Sequence, residues 1–311
     1  MKRGAENMKT LFKVAVSALF IAMTLSASAV DVGTTFATPE EAAQALASAA
    51  EAKNRQALRD LFGLDADDFV ASDQVQMAND LEKFAEAYAA KHQLESRSDT
   101  EKILEVGTDD WPFPIPLVQK DGRWYFDTNA GKDELLNRRI GRDELATLET
   151  VRAYVEAQRE YASRDRMGDS VLQYAQKFAS SPGKKDGLYW SPDLDGEISP
   201  LGPLVAEAHE EGYRKKSKDE PVPYHGYCFK ILTRQGSHAP GGAYSYIING
   251  RMIAGFALVA WPAQYGESGI MTFIVNQQGR VYQKDLGPKT DDLAPEMTTY
   301  DPDSTWKLSP D

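Results

Sequence analysis

Residues 253–261 read IAGFALVAW, a run without a polar side chain. Successive side chains of a strand point to opposite faces. A strand built from this run buries both faces and needs a layer of structure on each side. Asn249-Gly250, just before it, is a tight-turn dipeptide, which favours a hairpin strand over a helix. The segment therefore predicts the central strand of a sheet. A helix over residues 143–163 is the candidate cover for one face: Leu148, Val151, Val155 and Tyr161 mark its buried side, and Asp143 is placed to cap it.

The surrounding sequence extends the sheet. Strands are predicted at 224–233, 243–248, 251–261, 269–275 and 280–286, with Asn276 to Gly279 joining the last two. Beyond Gly287 the tail DDLAPEMTTYDPDSTW has little periodicity and is expected to lie along the surface. After the long helix, a break at Arg166-Met167-Gly168 precedes a shorter predicted helix over 169–180, stopped by Ser181-Pro182-Gly183. Residues 183–222, rich in Pro, Gly, Asp, Lys and Ser, are expected to form surface loops with one short helix around Leu204 to Glu211.

The first third is helical and then changes period. Thr38-Pro39-Glu40-Glu41 is a capping box that opens a helix expected to run to Phe62, with Gly63 as its stop. A second helix, 74–91, opens at Asp73 and lines up Met77, Leu81, Phe84 and Tyr88 on one face. Residues 102–106 and 115–127 then read as strands around an Asp121-Gly122 hairpin turn, and the proline-rich DDWPFPIP before them reads as an edge or rigid loop. The fold class is α+β: N-terminal helices with a small antiparallel hairpin unit over 30–137, then a long helix packed on a C-terminal antiparallel β-sheet over 138–311.

The extreme N-terminus reads as an export signal. Lys2, Arg3, Lys9 and Lys13 precede the apolar run Val14 to Leu25, and Ala27-Ser28-Ala29 offers a cleavage site that leaves Val30 first. The run is shorter than the roughly 20 residues a membrane span needs. The expected location is therefore the periplasm or the exterior, with no transmembrane anchor after cleavage. Loss of residues 1–29 removes four positive charges and one negative, which takes the formal net charge from −12 to −15. Such a chain has no electrostatic reason to approach nucleic acid. With Cys228 as its single cysteine, it forms no internal disulfide.

The segments YHGYCFKILTRQG, APGGAYSY, GFALVAWPAQYGESGIMTFIVNQQGRVYQKDLGP and LETVRAYVEAQREYASRDR together resemble the bacterial family called domain of unknown function 2950. The resemblance spans about residues 36–306. It implies an exported bacterial protein and implies no reaction or catalytic residue.

Candidate chemistry concentrates in the β region. His225 stands three residues before Cys228. On the predicted strand the two side chains point to opposite faces, whereas a nucleophile and its base must lie within about 3 Å; a bulge at Gly226 is the one route to a pair. His92, His209, His225 and His238 lack zinc-site spacing. Asp193-Leu194-Asp195-Gly196-Glu197 resembles a hard-cation turn, which makes Asp193 and Asp195 weak calcium candidates, with Asp165 and Asp169 a second pair, but no glutamate stands at the twelfth loop position. Ala239-Pro240-Gly241-Gly242 lacks phosphate-loop spacing, and Gly266-Glu267-Ser268-Gly269 is one residue short of a serine-hydrolase elbow. No cofactor is expected.

What remains is aromatic. Tyr224, Tyr227, Tyr244, Tyr246, Trp261, Tyr265 and Tyr282 crowd the sheet region. Most serve as core, yet Tyr224, His225, Tyr244 and Tyr246 form a candidate binding group for a glycan, a peptide or another envelope protein. The expected function is that of a binding or structural component of the cell envelope. The alternative is an envelope-acting hydrolase with a site near His225 and the 239–246 loop.

Overall fold

A computed structural model describes residues 33–63, 73–213 and 223–310; the export signal expected over residues 1–29 lies outside the described residues. Helix α1 (Pro39–Glu51) begins at its capping sequence, with the glutamate bond shifted one residue ahead of the N-cap. Thr38 Oγ1 accepts from the Glu41 amide, and Glu41 reaches back to the amide of Ala37. The expected continuous helix to Phe62 is in fact two. Lys53 adopts a left-handed φ of 48° and Asn54 caps a separate α2 (Arg55–Phe62). An asparagine side chain that satisfies a helix start competes well with continuation. Helix α3 (Gln74–Ala90) starts at Asp73, whose carboxylate accepts from the amides of Val75 and Gln76.

An antiparallel sheet follows, made of β1 (His92–Ser98), β2 (Glu101–Val106), β3 (Trp111–Pro112), β4 (Leu117–Lys120) and β5 (Arg123–Phe126), with β3 a short partner of β2. Strand β1, which the sequence did not announce, is a polar edge strand. Edges of this kind discourage further strand addition. The β4–β5 turn has positive φ at Asp121 (52°) and Gly122 (73°), as a type I′ turn demands.

Helix α4 (Thr128–Ala162) is 35 residues long and starts fifteen residues earlier than the amphipathic pattern suggests. Asp127 caps it through the Ala130 amide. Asp143, expected as the cap, lies inside the helix and is buried. The early half escapes a periodicity reading because it is polar and contains two glycines. Gly131 is required by packing: a Cβ there would lie 2.5 Å from Ile115 Cα. The helix passes through residue 137, giving Leu135 to the core formed with α1–α3 and the first sheet, and Leu148, Val151, Tyr154 and Val155 to the second core.

No helix forms over 169–180. The segment is extended and bridges Met252 at Tyr174 and Tyr189 at Ala179. Its conformation is fixed by Gln158 of α4, fully buried, whose side chain accepts from the Ala175 amide and donates to the Ala175 carbonyl, both at 2.9 Å. Two side-chain bonds to one residue hold it extended and replace the helical pairing its backbone would otherwise need. Helix α5 (Gly202–Glu210) follows.

The C-terminal part contains β6 (Tyr227–Leu232), β7 (Arg234–Gln235), β8 (Tyr244–Ser245), β9 (Ile247–Ile248), β10 (Arg251–Met252), β11 (Ala257–Pro262), β12 (Met271–Asn276), β13 (Tyr282–Asp285), α6 (Thr290–Glu296), β14 (Thr299–Tyr300) and β15 (Lys307–Leu308). The main sheet has the order β15-β13-β12-β11-β6, with every pair antiparallel. β11 is interior and buried, as its composition requires. Tyr154 of α4 donates to the Ala257 carbonyl. Tyr227 feels the carboxylates of Asp143 and Glu144 in α4, while its neighbour Cys228 feels Asp291 in α6. Adjacent strand residues face opposite ways, so α4 and α6 cover opposite faces. The tail beyond Gly287 is therefore not a surface strap: α6 is the second cover, β14 pairs with β7, and β15 pairs with β13. Its short elements carry too few periods to announce themselves.

Candidate functional site

The segment around His225 is a tight turn and not the start of a strand. Tyr224 and Tyr227 exchange two backbone hydrogen bonds, at 2.9 and 3.1 Å, and His225 and Gly226 between them have φ of 47° and 72°. This is a two-residue type I′ loop. The expected strand over 224–233 thus begins only at Tyr227, and His225 does not share a face with Tyr227 and Phe229. Histidine is among the residues that tolerate a left-handed backbone, and glycine at the next position was the readable signal.

Four chain segments meet behind this turn. The Gly226 amide donates to Asp73 Oδ2 at 3.3 Å, and the His225 amide donates to Tyr213 Oη at 3.3 Å. Tyr213 Oη itself donates to Asp73 Oδ2 at 2.5 Å. His225 Nε2 lies 3.3 Å from Glu211 Oε2, with its ring edge-on to Tyr224. A Cβ on Gly226 would lie 2.8 Å from Asp143 Oδ2 and 2.9 Å from Ser268 Cβ, so the turn is packed directly on α4. Asp143 accepts from Gln76 Nε2 at 2.9 Å and approaches Arg142 Nε at 3.4 Å. Burial pushes its carboxyl from 3.8 up to about 6, against the pull of Arg142 and Gln76. Burial, reinforced by Asp73, likewise raises the Tyr213 hydroxyl.

The other two tyrosines of the candidate group lie elsewhere. Tyr246 is fully buried and donates to Gln235 Oε1, and Tyr244 packs edge-on to it at 5.6 Å. Gln235 Nε2 donates to the carbonyls of Pro240 and Gly242 at 2.8 Å each, which fastens the Ala239–Gly242 turn. Strand β6 separates the two pairs: Tyr224 and His225 precede it, whereas β7 and β8 follow it. At about 3.3 Å per residue its six residues span about 20 Å. Cys228 lies on the α6 side, buried, with its thiol pushed up to about 11 by burial and Asp291.

The acidic turn candidates are engaged within the protein. Asp193 accepts from Ser191, and Asp195 pairs with Lys185 at 2.5 Å. Lys185 and Arg166 also hold Glu197, so lysine and arginine supply the positive charge there. Asp165 accepts from the amides of Met167, Gly168, Asp169 and Ser170, and Asp169 pairs with Arg251. Among the described residues no group of three or more His, Cys, Asp or Glu side chains is arranged to hold a metal ion.

A separate concavity lies beside α4. A groove of about 940 Å³ runs between α1–α3 and α4, with Leu58, Phe62, Leu81, Phe84, Phe113 and Ile115 among its walls. Along α4, residues 135, 138, 142, 145 and 149 line it, a three-four spacing that puts them on one helical face. Leu145 (65% exposed) and Trp111 (44% exposed) stand at its mouth. Ligand sites typically enclose roughly 300–1,000 Å³ with mainly apolar walls. Sequence reading misses it because its lining extends from Leu46 to Glu149. The one local trace is Arg138-Arg139-Ile140-Gly141-Arg142, a basic run between Leu135 and Leu145 in an acidic chain. Arg142 joins the two regions: its Nη1 pairs with Asp80 of the groove at 2.8 Å while its Nε faces Asp143.

Among the described residues no helix is long and apolar enough to cross a membrane. Neither a curated protein nor a solved structure matches the chain. The profile of the family described as "Protein of unknown function (DUF2950)" matches residues 33–308, and the chain belongs to that family.

Proposed function

We propose that this protein is an exported binding component of the bacterial cell envelope and that its ligand occupies the groove between α1–α3 and α4. The groove's volume and apolar walls support this reading. Export rests on the basic, apolar and small-residue succession of residues 1–29. The hydrolase alternative requires His225 and the 239–246 loop to act together, and these stand at opposite ends of β6.

Two measurements test the proposal. Expression of the full chain followed by fractionation should recover a form starting at Val30 outside the cytoplasm; recovery of the uncleaved chain in the cytosol refutes export. The purified protein should bind the neutral fluorescent probe N-phenyl-1-naphthylamine, and Ala146→Phe, which narrows the groove from α4, should reduce that binding. Unchanged binding in the variant removes the groove as the site.

A further inference from the structure

The groove carries a charge opposite to that of the chain. Against a formal net charge of −12, the described residues that line it include six cations, Arg55, Arg59, Lys83, Arg138, Arg139 and Arg142, and two carboxylates, Asp80 and Glu149. Several of these cations retain donors. Arg138 commits Nε to Glu134 and Nη1 to the Pro112 carbonyl, with its guanidinium 5.0 Å from the Trp111 ring centroid at the mouth. Arg142 commits Nε and Nη1 to Asp143 and Asp80. The Nη2 group of each is uncommitted among the described residues. Arg55 makes one contact there, Nη2 to Met77 Sδ at 3.6 Å, and no ion pair with a described carboxylate. Lys83 likewise has no described carboxylate partner.

Resting on the groove as the binding site, we infer that its occupant is a single-chain amphiphile with an anionic carboxylate head, a long-chain fatty acid. The apolar walls take the hydrocarbon, at roughly 0.8 kcal/mol per buried methylene. The cations that line the groove take the head through charge-assisted hydrogen bonds, for which guanidinium geometry is suited. Size favours one chain over two. If a methylene takes about the 30 Å³ of a water molecule, a chain of about 16 carbons takes about half of the 940 Å³. Two such chains with a headgroup exceed it.

Probes of equal chain length separate the parts of this inference. The delipidated protein is titrated, below micellar concentrations, with hexadecanoate, hexadecanol, hexadecyl phosphate and hexadecyltrimethylammonium. Hexadecanoate should bind at least about tenfold more tightly than hexadecanol, the cationic probe should bind least, and Ala146→Phe should weaken all of them. Arg55→Gln combined with Lys83→Gln should erase most of the preference for hexadecanoate while leaving hexadecanol unchanged. Among the described residues neither has an ion pair to lose, and an unchanged urea-unfolding midpoint checks that the double variant folds. Equal binding of hexadecanoate and hexadecanol, both lost in Ala146→Phe, overturns the anionic head and leaves the groove reading standing. Tighter binding of hexadecyl phosphate overturns the carboxylate assignment alone. Failure of every probe, or binding untouched by Ala146→Phe, overturns the groove reading itself.

Discussion

Asp143→Asn tests whether the buried carboxyl beneath the His225 turn is a strained charge. In the folded protein its pKa is raised from 3.8 to about 6, with burial the largest cause. At 1.36 kcal/mol per pH unit the rise corresponds to about 3 kcal/mol. Because the folded value is the higher one, the folded state holds more protons than the unfolded state between the two values. The group's stabilising contribution is therefore complete below about pH 4 and is lost as pH rises through about 6. The asparagine variant carries no such titration. Urea unfolding of both proteins from pH 4.5 to 8 should show the variant gaining on the wild type as pH rises, by about 2 kcal/mol across the range. The other carboxylates cancel in the difference. A weaker bond from Gln76 and the weakened field on buried Arg139 shift the difference by an offset that does not follow the Asp143 titration. A stability difference independent of pH, or one that favours the wild type as pH rises, refutes the reasoning.

Other substitutions test the packing. Gly226→Ala should cost at least about 2 kcal/mol in urea unfolding, about 1–2 kcal/mol from its left-handed backbone and more from the contacts with Asp143 and Ser268. Gly122→Ala, at a similar φ of +73° with nothing within 4 Å, should cost only the backbone part; equal losses would show that the turn does not press on α4. Gln158→Leu leaves the buried amide and carbonyl of Ala175 without their partners and should cost about 2–6 kcal/mol, at roughly 1–3 kcal/mol per unsatisfied group. Cys228 should resist iodoacetamide at pH 8 in the native protein and react fully in guanidinium chloride, since its thiol is buried and pushed up to about 11; rapid native labelling would contradict that burial.

Local chemistry was legible wherever a side chain or a turn dipeptide determines its own surroundings. Thr38 and Asp73 announce helix starts, Asp121-Gly122 and Asn249-Gly250 announce hairpins, and the apolar run through β11 announces a doubly covered strand. The reading failed where distant residues decide. Residues 128–142 are helical because the N-terminal core and groove receive them, not because of their own pattern. Residues 169–180 are extended because Gln158 holds Ala175. Asp143 looked like a cap because an aspartate ahead of an amphipathic stripe usually is one; only the helix that precedes it makes it an interior residue. The candidate site divided for the same reason. Tyr224 and Tyr244 are neighbours in composition, but a strand's length keeps them apart, and the groove draws on segments that the sequence separates widely.

At about 1.5 Å per residue, α4 is about 50 Å long, and this length has a consequence for dynamics. One end of the helix walls the groove while the other lies against β11 and β12. Opening the sheet to solvent exposes the helix that the ligand rests on, so both are drawn into one cooperative event. A ligand in the groove stabilises the folded chain by RT ln(1 + [L]/Kd). That gain should appear as slowed hydrogen exchange at the amides of β11 and β12, which no ligand touches, as well as at those of α3. Protection that spreads this way turns the interior strand into a reporter for an event at the far end of the helix.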